Sequence, residues 1–455
     1  MEKLQAKKCR RVVLVPFPLQ GHLNPMLDLA NILHSRGFSI TIVHTKFNFP
    51  NPADHPDFQY VPISDGISNW DISASNLVRL ASTINTNCKD SFRKCLTQMM
   101  QQQQQDEKQN DQVACIIYDF LMHFAETVAN QMSLPSIIQR TSNAAALLAF
   151  CKLPRLRAEG YDCLQDSTSD ELVPGLHPLR FKDLPTASMG SLDNFLQLIA
   201  VVCNTRTSSA IIWNTTDCLE HSSLTQLQEH YNVPFFTLGP MHKMALAKSS
   251  NLVIKDDNNC IEWLEKQAPH SVIYVSLGSI ATLDQKELTE MACGLANSDQ
   301  PFLWVIRPGL GSGSDAHLPE AFQELTGDRG CIVKWAPQKD VLAHPAVGGF
   351  LSHCGWNSTL ESISEGVPMI CKPYFVDQKM NARYLSHEWG IGIELDEVMQ
   401  RTDIAKAIRR ILVEEEGSRM RQRVIALKEQ IKHCIKEGGS SYNSLNKLVQ
   451  FISSL

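Results

Sequence analysis

The sequence predicts two α/β units in tandem, each a parallel sheet with helices on both faces. The chain has 455 residues, 43% of them hydrophobic, and a single core stops growing at roughly 250 to 300 residues. Short β-rich apolar runs alternate with longer helical stretches along the chain, which is typical of doubly wound sheets. A polar stretch separates the two halves. We therefore expect two Rossmann-like domains that face each other across a cleft.

The predicted strands are the apolar runs that end in short loops. They span residues 11–16, 39–44, 113–118 and 136–139 in the first half, and 271–277, 302–306, 331–334, 348–353 and 368–371 in the second. A helix should begin just after the first strand, where Asn24 can cap it and Pro25 suits its first position. Ligands bind at such carboxyl ends of strands, so two facing sheets predict a cleft with two substrates.

The domain boundaries follow the polar stretches of the chain. We place the first domain at residues 1–241, a linker at 242–259 and the second domain at 260–437. The pair Gly438 and Gly439 should end one helix, and residues 438–455 should contain a last amphipathic helix.

Charge, hydropathy and cysteine usage exclude several classes of protein. The chain has 42 Lys and Arg residues and 48 Asp and Glu residues, which gives a net charge of -6, and it has no long basic block. We therefore expect no nucleic-acid partner. Pro16 and Pro18 interrupt the first apolar run, which predicts neither a signal peptide nor a membrane span. The 14 cysteines stand singly, a pattern typical of reduced thiols in the cytoplasm.

Residues 335–378 contain a strand, a loop and a helix start with the features of an anion site. Gly355 lets the backbone approach a ligand closely, and Ser358 with Glu361 fits a capping box that opens a helix. The helix dipole and backbone N–H groups would attract a diphosphate. Side chains that could add hydrogen bonds are those of His353, Asn357 and Ser358, with Ser279 in another loop as a further candidate. The chain contains no Asp-x-Asp pair, which agrees with binding of the diphosphate without a metal ion. We also expect no cofactor.

The same segment begins with Trp-Ala-Pro-Gln, contains His-Cys-Gly-Trp-Asn-Ser-Thr-Leu-Glu and ends with Asp-Gln. It resembles the signature box of the plant family 1 UDP-glycosyltransferases. In detail the chain most resembles the group that contains steviol and hydroxy-acid glucosyltransferases. The resemblance implies the GT-B fold, with the last helix packed back on the N-terminal domain. It also implies a UDP-sugar donor, with glucose preferred, and a small-molecule acceptor.

The resemblance also assigns roles within the donor site. Trp335 would stack on the uracil ring, Ala336 and Gln338 would hold the uridine, and Glu361 would bind the ribose hydroxyls. The residues assigned to the sugar are Trp356, Asp377 and Gln378. Taken singly, each of these side chains also has a structural explanation, such as capping for Glu361 or packing for the tryptophans.

Displacement of UDP by an acceptor hydroxyl requires a base, and a histidine is suited to that role near neutral pH. His22 lies in the loop after the first strand and Asp119 ends another strand, and both match the family's catalytic pair. Asp119 would fix the tautomer of His22 and stabilise its charged form. Thr141 matches a position that touches the transferred sugar. Helix capping is the alternative explanation for each of the three residues.

The sequence thus predicts inverting, metal-independent transfer of glucose from UDP-glucose to a small apolar plant metabolite. The attacking group would be a hydroxyl or carboxyl of a terpenoid, flavonoid, phenolic or hydroxy acid. Three alternatives remain: a UDP-sugar epimerase or hydrolase, a nicotinamide-dependent oxidoreductase, and a non-catalytic UDP-sugar sensor. The oxidoreductase requires a GxGxxG loop after a first strand, and neither half supplies one. We expect a monomer in the cytoplasm.

Overall fold

The computed structural model describes residues 10–67, 76–105, 111–161, 169–185, 192–204, 208–245, 259–311, 317–319 and 322–455. The first sheet contains β1 (Arg10–Val15), β2 (Ser39–Thr45), β3 (Gln59–Ile63), β4 (Gln112–Asp119), β5 (Ser136–Arg140), β6 (Ala210–Trp213) and β7 (Phe235–Thr237). The second sheet contains β8 (Val272–Ser276), β9 (Phe302–Val305), β10 (Gly330–Val333), β11 (Val347–Ser352), β12 (Met369–Cys371) and β13 (Gly392–Glu394).

Helices connect the strands of both sheets. Those of the first half are α1 (Gln20–Ser35), α2 (Leu77–Gln105), α3 (Phe124–Gln131), α4 (Ala144–Ala158), α5 (Leu192–Cys203), α6 (Asp217–His230) and α7 (Met241–Met244). Those of the second half are α8 (Asn259–Leu264), α9 (Gln285–Asn297), α10 (Phe322–Thr326), α11 (Gln338–Ala343), α12 (Trp356–Glu365), α13 (Gln378–Arg383), α14 (Arg401–Leu412), α15 (Glu415–Ile435) and α16 (Ser440–Ser454).

Both sheets have the doubly wound strand order. The first runs β3-β2-β1-β4-β5-β6-β7 and the second runs β10-β9-β8-β11-β12-β13, and the strand pairs are parallel. Alternate side chains of β1 enter different cores, because successive residues of a strand point to opposite faces. Val12 and Leu14 pack under α1, whereas Val13 and Val15 pack under α2 and α3. The chain order reverses between β1 and β4 and between β8 and β11, where ligands are expected to bind.

The predicted α/β architecture is confirmed. Each predicted strand is present, with ends that differ by one residue at most. The prediction missed β3, β6, β7 and β13. β3 contains Pro62 and is partly exposed, and β7 and β13 have only 3 residues each, so their apolar patterns are too short or too broken to recognise.

Two predicted helix starts are wrong. α1 begins at Gln20 after the N-cap Leu19, so Asn24 does not cap it and Pro25 lies inside it. His22 therefore lies in the first turn of this helix, and not in a loop. The predicted capping box of Ser358 and Glu361 is also absent, because α12 already begins at Trp356, with Gly355 at the N-cap.

The last helix packs on the first sheet. Leu445, Leu448 and Ile452 of α16 are buried in the core that Val12 and Leu14 enter, and the Ser441 hydroxyl donates to the Gly239 carbonyl over 3.0 Å. Of the predicted linker, the structure describes residues 242–245 as the end of α7 and its following residue, and 259 as the start of α8. Residues 246–258 lie outside the described residues, and the predicted domain boundaries stay predictions. Within the described ranges, no helix combines the length and apolar character needed to cross a membrane.

Candidate active site

The histidine and aspartate predicted to act together are in contact. His22 lies in the first turn of α1, and Asp119 ends the neighbouring strand β4. The parallel pairing of β1 with β4 brings both residues to one edge of the sheet, although they are 97 positions apart. His22 Nδ1 lies 2.9 Å from Asp119 Oδ2. The other oxygen of this carboxylate, Oδ1, accepts the Leu121 backbone N–H over 2.9 Å, so the side chain is held from two directions.

The environment of His22 determines which of its nitrogens can act as a base. Asp119 is fully buried and, as a carboxylate, accepts hydrogen bonds, so Nδ1 carries the proton of a neutral His22. Thr141 Oγ1 lies 3.0 Å from the same nitrogen. Nε2 is then the unprotonated nitrogen. The His22 side chain is 20% exposed to solvent. The rings of Phe17 and Phe120 lie 5.3 and 5.5 Å from the imidazole and form apolar walls beside it.

The first turn of α12 faces this histidine from the second domain. The Thr359 N–H is bonded within the helix, to the Gly355 carbonyl over 2.9 Å. The backbone N–H groups that precede it, those of Trp356, Asn357 and Ser358, have no carbonyl of an earlier turn to bond. They form the positive end of the helix dipole, which is suited to a diphosphate.

Two side chains of this turn make contacts that differ from the predicted ones. The Trp356 indole N–H donates to the Asn214 carbonyl over 2.8 Å, and the ring is buried. The Asn357 amide donates to the Gly21 carbonyl over 2.7 Å and accepts from Asn214 over 3.2 Å. Both side chains thus join the two domains, which leaves their backbone N–H groups as the parts open to a donor.

His353 packs tightly against two glycines at the same edge. A Cβ atom added at Gly278 would lie 2.6 Å from its ring, and one at Gly355 would lie 2.5 Å from Nε2. Burial lowers the pKa of His353 to about 4, the charge of Arg307 acts in the same direction, and the Ser276 backbone opposes the shift. The imidazole is therefore neutral near pH 7 and has a single N–H, which can donate either to the Ser276 backbone or to a ligand. Ser279 is exposed next to Gly278.

Two of the residues predicted to hold the nucleoside, Gln338 and Glu361, belong to one hydrogen-bond network at α12. The Gln338 amide donates to Ser358 Oγ over 3.0 Å and to Glu361 Oε2 over 2.7 Å, and its oxygen accepts from Tyr274 over 3.3 Å. Burial raises the pKa of Glu361, while the Gln338 hydrogen bond and Lys339 oppose this shift. Trp335 is 43% exposed, whereas Ala336 is buried. An exposed indole is available for stacking, and the network holds Glu361 in place.

The signature segment, residues 335–378, ends with the polar residues Asp377 and Gln378. Burial raises the pKa of Asp377, and the Asn381 amide, which donates to Asp377 Oδ2 over 3.2 Å, opposes the shift. The side-chain oxygen of Gln378 accepts the backbone N–H groups of Tyr374 and Phe375 over 2.8 and 3.2 Å. Its amide N–H groups are therefore the part that can reach a sugar hydroxyl.

These features place the His22–Asp119 pair beside the first turn of α12, because Asn357 of that turn contacts Gly21. The family model described as UDP-glucoronosyl and UDP-glucosyl transferase matches residues 11–428. The chain belongs to this family.

Two plant relatives of this glycosyltransferase are similar over their whole length. A UDP-glycosyltransferase 76E1 of Solanum lycopersicum is 49% identical, covering 99% of this chain and 94% of the relative. A flavonol 3-O-glucosyltransferase, UGT76E12 of Arabidopsis thaliana, is 46% identical and covers 99% of each. These similarities support the plant family, but they do not support the narrower resemblance to the steviol and hydroxy-acid group.

A solved structure supports the GT-B fold. The UDP complex of a UDP-glucose:anthocyanidin 3-O-glucosyltransferase superimposes with a TM-score of 0.84 at 26% identity, covering 99% of this chain and 100% of the other. The chain is accordingly a GT-B glycosyltransferase, and its enzyme class is the one that the signature segment predicts.

The sequence analysis missed two buried residues of this glycosyltransferase. Asn214 follows β6 and contacts the first turn of α12. The Glu220 carboxylate accepts the Ala144 and Ala145 N–H groups over 2.9 and 3.0 Å, at the start of the helix that follows Thr141. Recognising β6 as a strand would have pointed to Asn214, since polar residues at the carboxyl ends of parallel strands face the cleft.

Proposed function

We propose that this enzyme transfers glucose from UDP-glucose to a phenolic hydroxyl of a flavonol-like acceptor, with inversion at the anomeric carbon. The observation that carries the proposal is the contact of His22 with the buried Asp119 and with Thr141, opposite the first turn of α12. A flavonol glucosyltransferase among the relatives and an anthocyanidin glucosyltransferase among the similar structures favour a flat phenolic acceptor.

In the proposed reaction, the acceptor oxygen forms a bond to the anomeric carbon as the bond from that carbon to the β-phosphate oxygen breaks. The acceptor proton moves to Nε2 of His22, and Asp119 stabilises the imidazolium that results. The negative charge that develops on UDP is met by the N-terminal N–H groups of α12 and by the neutral His353. No step assigned to these residues requires a metal ion.

The geometry described above supports the donor roles that the family resemblance implies. We propose that Trp335 stacks on the uracil, which is typically worth about 1–3 kcal/mol per base, and that Glu361 binds the ribose. The sugar hydroxyls would be bound by Asp377 and by the amide group of Gln378. The exposed Ser279 would contact the phosphates only if the donor reaches the loop after β8.

Purified protein should convert UDP-glucose and quercetin to a quercetin monoglucoside in the presence of EDTA, detected by mass spectrometry. His22→Ala should reduce turnover by roughly 100-fold or more, because the general base is lost, while UDP still raises the unfolding midpoint. His34→Ala is the matched control, since His34 lies in the last turn of the same helix, and it should leave turnover unchanged.

Three results would contradict the proposal. Undiminished turnover by His22→Ala would remove this residue from the mechanism. Loss of turnover in EDTA that returns with Mg²⁺ would refute a metal-independent reaction. Consumption of UDP-glucose at the same rate without quercetin would favour the epimerase or hydrolase instead.

A further inference from the structure

We propose that Asn214 is a positioning residue, which with Asn357 forms an amide clasp between the two domains and sets the distance between His22 and the donor helix α12. This inference rests on the proposed function, because it assumes that His22 acts on an acceptor beside the donor. We use the term amide clasp for the side chains of Asn214 and Asn357 only.

Asn214, which follows β6, is buried and contacts three other segments of the chain. Its backbone N–H donates to the Arg140 carbonyl over 3.1 Å, directly before Thr141. Its side-chain oxygen accepts the Met241 N–H over 3.0 Å, and its side-chain amide donates to Asn357 Oδ1 over 3.2 Å. Its carbonyl accepts the Trp356 indole N–H over 2.8 Å. One residue thus contacts the end of β5, the start of α7 and the first turn of α12.

Asn357 extends the contact to the helix turn that carries His22. Its amide donates to the Gly21 carbonyl over 2.7 Å. In an uninterrupted α-helix this carbonyl would accept the N–H of residue 25, but Pro25 has none. The proline therefore leaves a carbonyl of α1 free for the other domain, one residue before His22.

The orientation of both amides follows from their end partners. The Met241 N–H can only donate, so the oxygen of Asn214 faces it and the amide N–H faces Asn357. The Gly21 carbonyl can only accept, so the amide N–H of Asn357 faces it and the oxygen faces Asn214. Each of the two side chains must accept a hydrogen bond with one atom and donate one with the other. The amide of asparagine provides both groups at the length that these contacts require.

This arrangement has a consequence for the reaction. The attacking oxygen and the anomeric carbon must approach within about 3–3.5 Å, and a shift of about 1 Å can cost 100-fold in rate. The base belongs to the first domain and the helix that holds the diphosphate belongs to the second. A rigid contact between Gly21 and Asn357 links them directly, whereas the ion pair of Arg180 with Glu394 joins the domains elsewhere.

The test compares Asn214→Ala and Asn214→Asp with the wild type. Both variants remove the donor to Asn357, and the aspartate keeps the acceptor for Met241. Turnover of UDP-glucose with quercetin should fall on the order of 100-fold in each variant at pH 7.5. The dissociation constant of UDP should stay within about threefold, because the backbone N–H groups of α12 remain.

Acid should restore Asn214→Asp but not Asn214→Ala. A protonated aspartate regains an O–H donor toward Asn357, and burial should raise the pKa of the new carboxyl above about 3.9. The ratio of Asn214→Asp to wild-type turnover should therefore rise roughly tenfold from pH 7.5 to 5.5. Taking this ratio cancels the titration of groups common to both proteins, such as Glu220 and Asp377.

Glu394→Gln is the matched control for a lost contact between domains. It removes the charge that pairs with Arg180 over 2.7 Å, away from α12, and should leave turnover unchanged. The unfolding midpoint is measured for every variant over the same pH range. The unfolding midpoint of Asn214→Asp should lie below that of the wild type, and this difference should shrink toward pH 5.5. The corresponding difference for Asn214→Ala should not shrink.

The outcomes separate the clasp from the proposed function. A wild type that glucosylates quercetin, with variants equally active, would overturn the positioning role of Asn214. A pH-independent activity ratio for a folded Asn214→Asp variant would also overturn it. If the wild type does not glucosylate quercetin, the proposed acceptor fails. The unfolding midpoints alone then decide whether Asn214 donates to Asn357. A difference in midpoint between Asn214→Asp and the wild type that does not change with pH overturns the clasp.

Discussion

The packing of His353 between backbone segments leads to a quantitative prediction about two glycines. Gly355→Ala adds a Cβ atom 2.5 Å from His353 Nε2, and Gly278→Ala adds one 2.6 Å from the ring. Atoms do not approach so closely, so the imidazole must move in either variant. Gly278 also has a φ of +73°, a conformation that a residue with a side chain adopts at a cost, whereas Gly355 has a φ of -61°.

The expected magnitudes follow from these contacts. Displacing a packed ring typically costs about 1–3 kcal/mol, and a positive φ adds about 1–2 kcal/mol. Gly278→Ala should therefore destabilise the protein more than Gly355→Ala does. If His353 donates to the diphosphate, loss of that bond costs about 1.5–3 kcal/mol. This corresponds to a roughly 10- to 150-fold weaker binding of UDP in both variants.

Gly438→Ala is the matched control, because Gly438 has a φ of +83° but nothing within 4 Å of its added Cβ atom. It should lower the unfolding midpoint slightly and leave the binding of UDP unchanged. Titration calorimetry with UDP and thermal unfolding of the three variants measure the two effects separately. Wild-type affinity for UDP in Gly355→Ala would refute the assignment of His353 to the phosphate site.

Three further predictions concern the catalytic pair, the pH dependence of stability and the last helix. Asp119→Asn should lower turnover by about 10⁴-fold with little change in UDP binding, because an amide can donate to Nδ1 and place the His22 proton on Nε2; a smaller loss than tenfold would contradict this. Because the folded-state pKa of His353 is lowered to about 4, from an ordinary value of 6.5, stability should fall as the pH falls from about 6.5 to 4 and then level off. His353→Gln should lose less stability over this window in denaturant titrations, and an equal loss would show that other groups are responsible. Leu448→Ala should cost about 2–5 kcal/mol, since this side chain is fully buried between α16 and the first sheet, and a wild-type unfolding midpoint would exclude that packing.

The parts of the fold that the sequence predicted are those with strong local patterns. β1, β4, β8 and β11 are central strands, buried on both faces, and their apolar runs stand out from the surrounding chain. The predicted start of α1 was wrong because proline is common at the first position of helices, whereas Pro25 lies inside this helix.

The candidate site divides in the same way. Trp335, Glu361 and Asp377 stand in one continuous segment, so their order along the chain already indicates a common site. The Gly355 N-cap made the capping-box prediction fail, since a glycine there leaves the N–H groups of the first turn free for a ligand. Asn214 lies 143 positions from its partner Asn357, and no local pattern relates them.

The sequence alone determined the class of this protein and its α/β architecture, and it predicted the donor segment and the pairing of His22 with Asp119. These properties depend on short-range periodicity and on motifs whose residues are neighbours along the chain. Only the tertiary structure decided that Trp356 and Asn357 direct their side chains to the other domain, and that a carbonyl released by Pro25 receives one of them. The physical reason is that such contacts depend on strand order and on the packing of the two sheets, which bring together groups that are far apart in the chain.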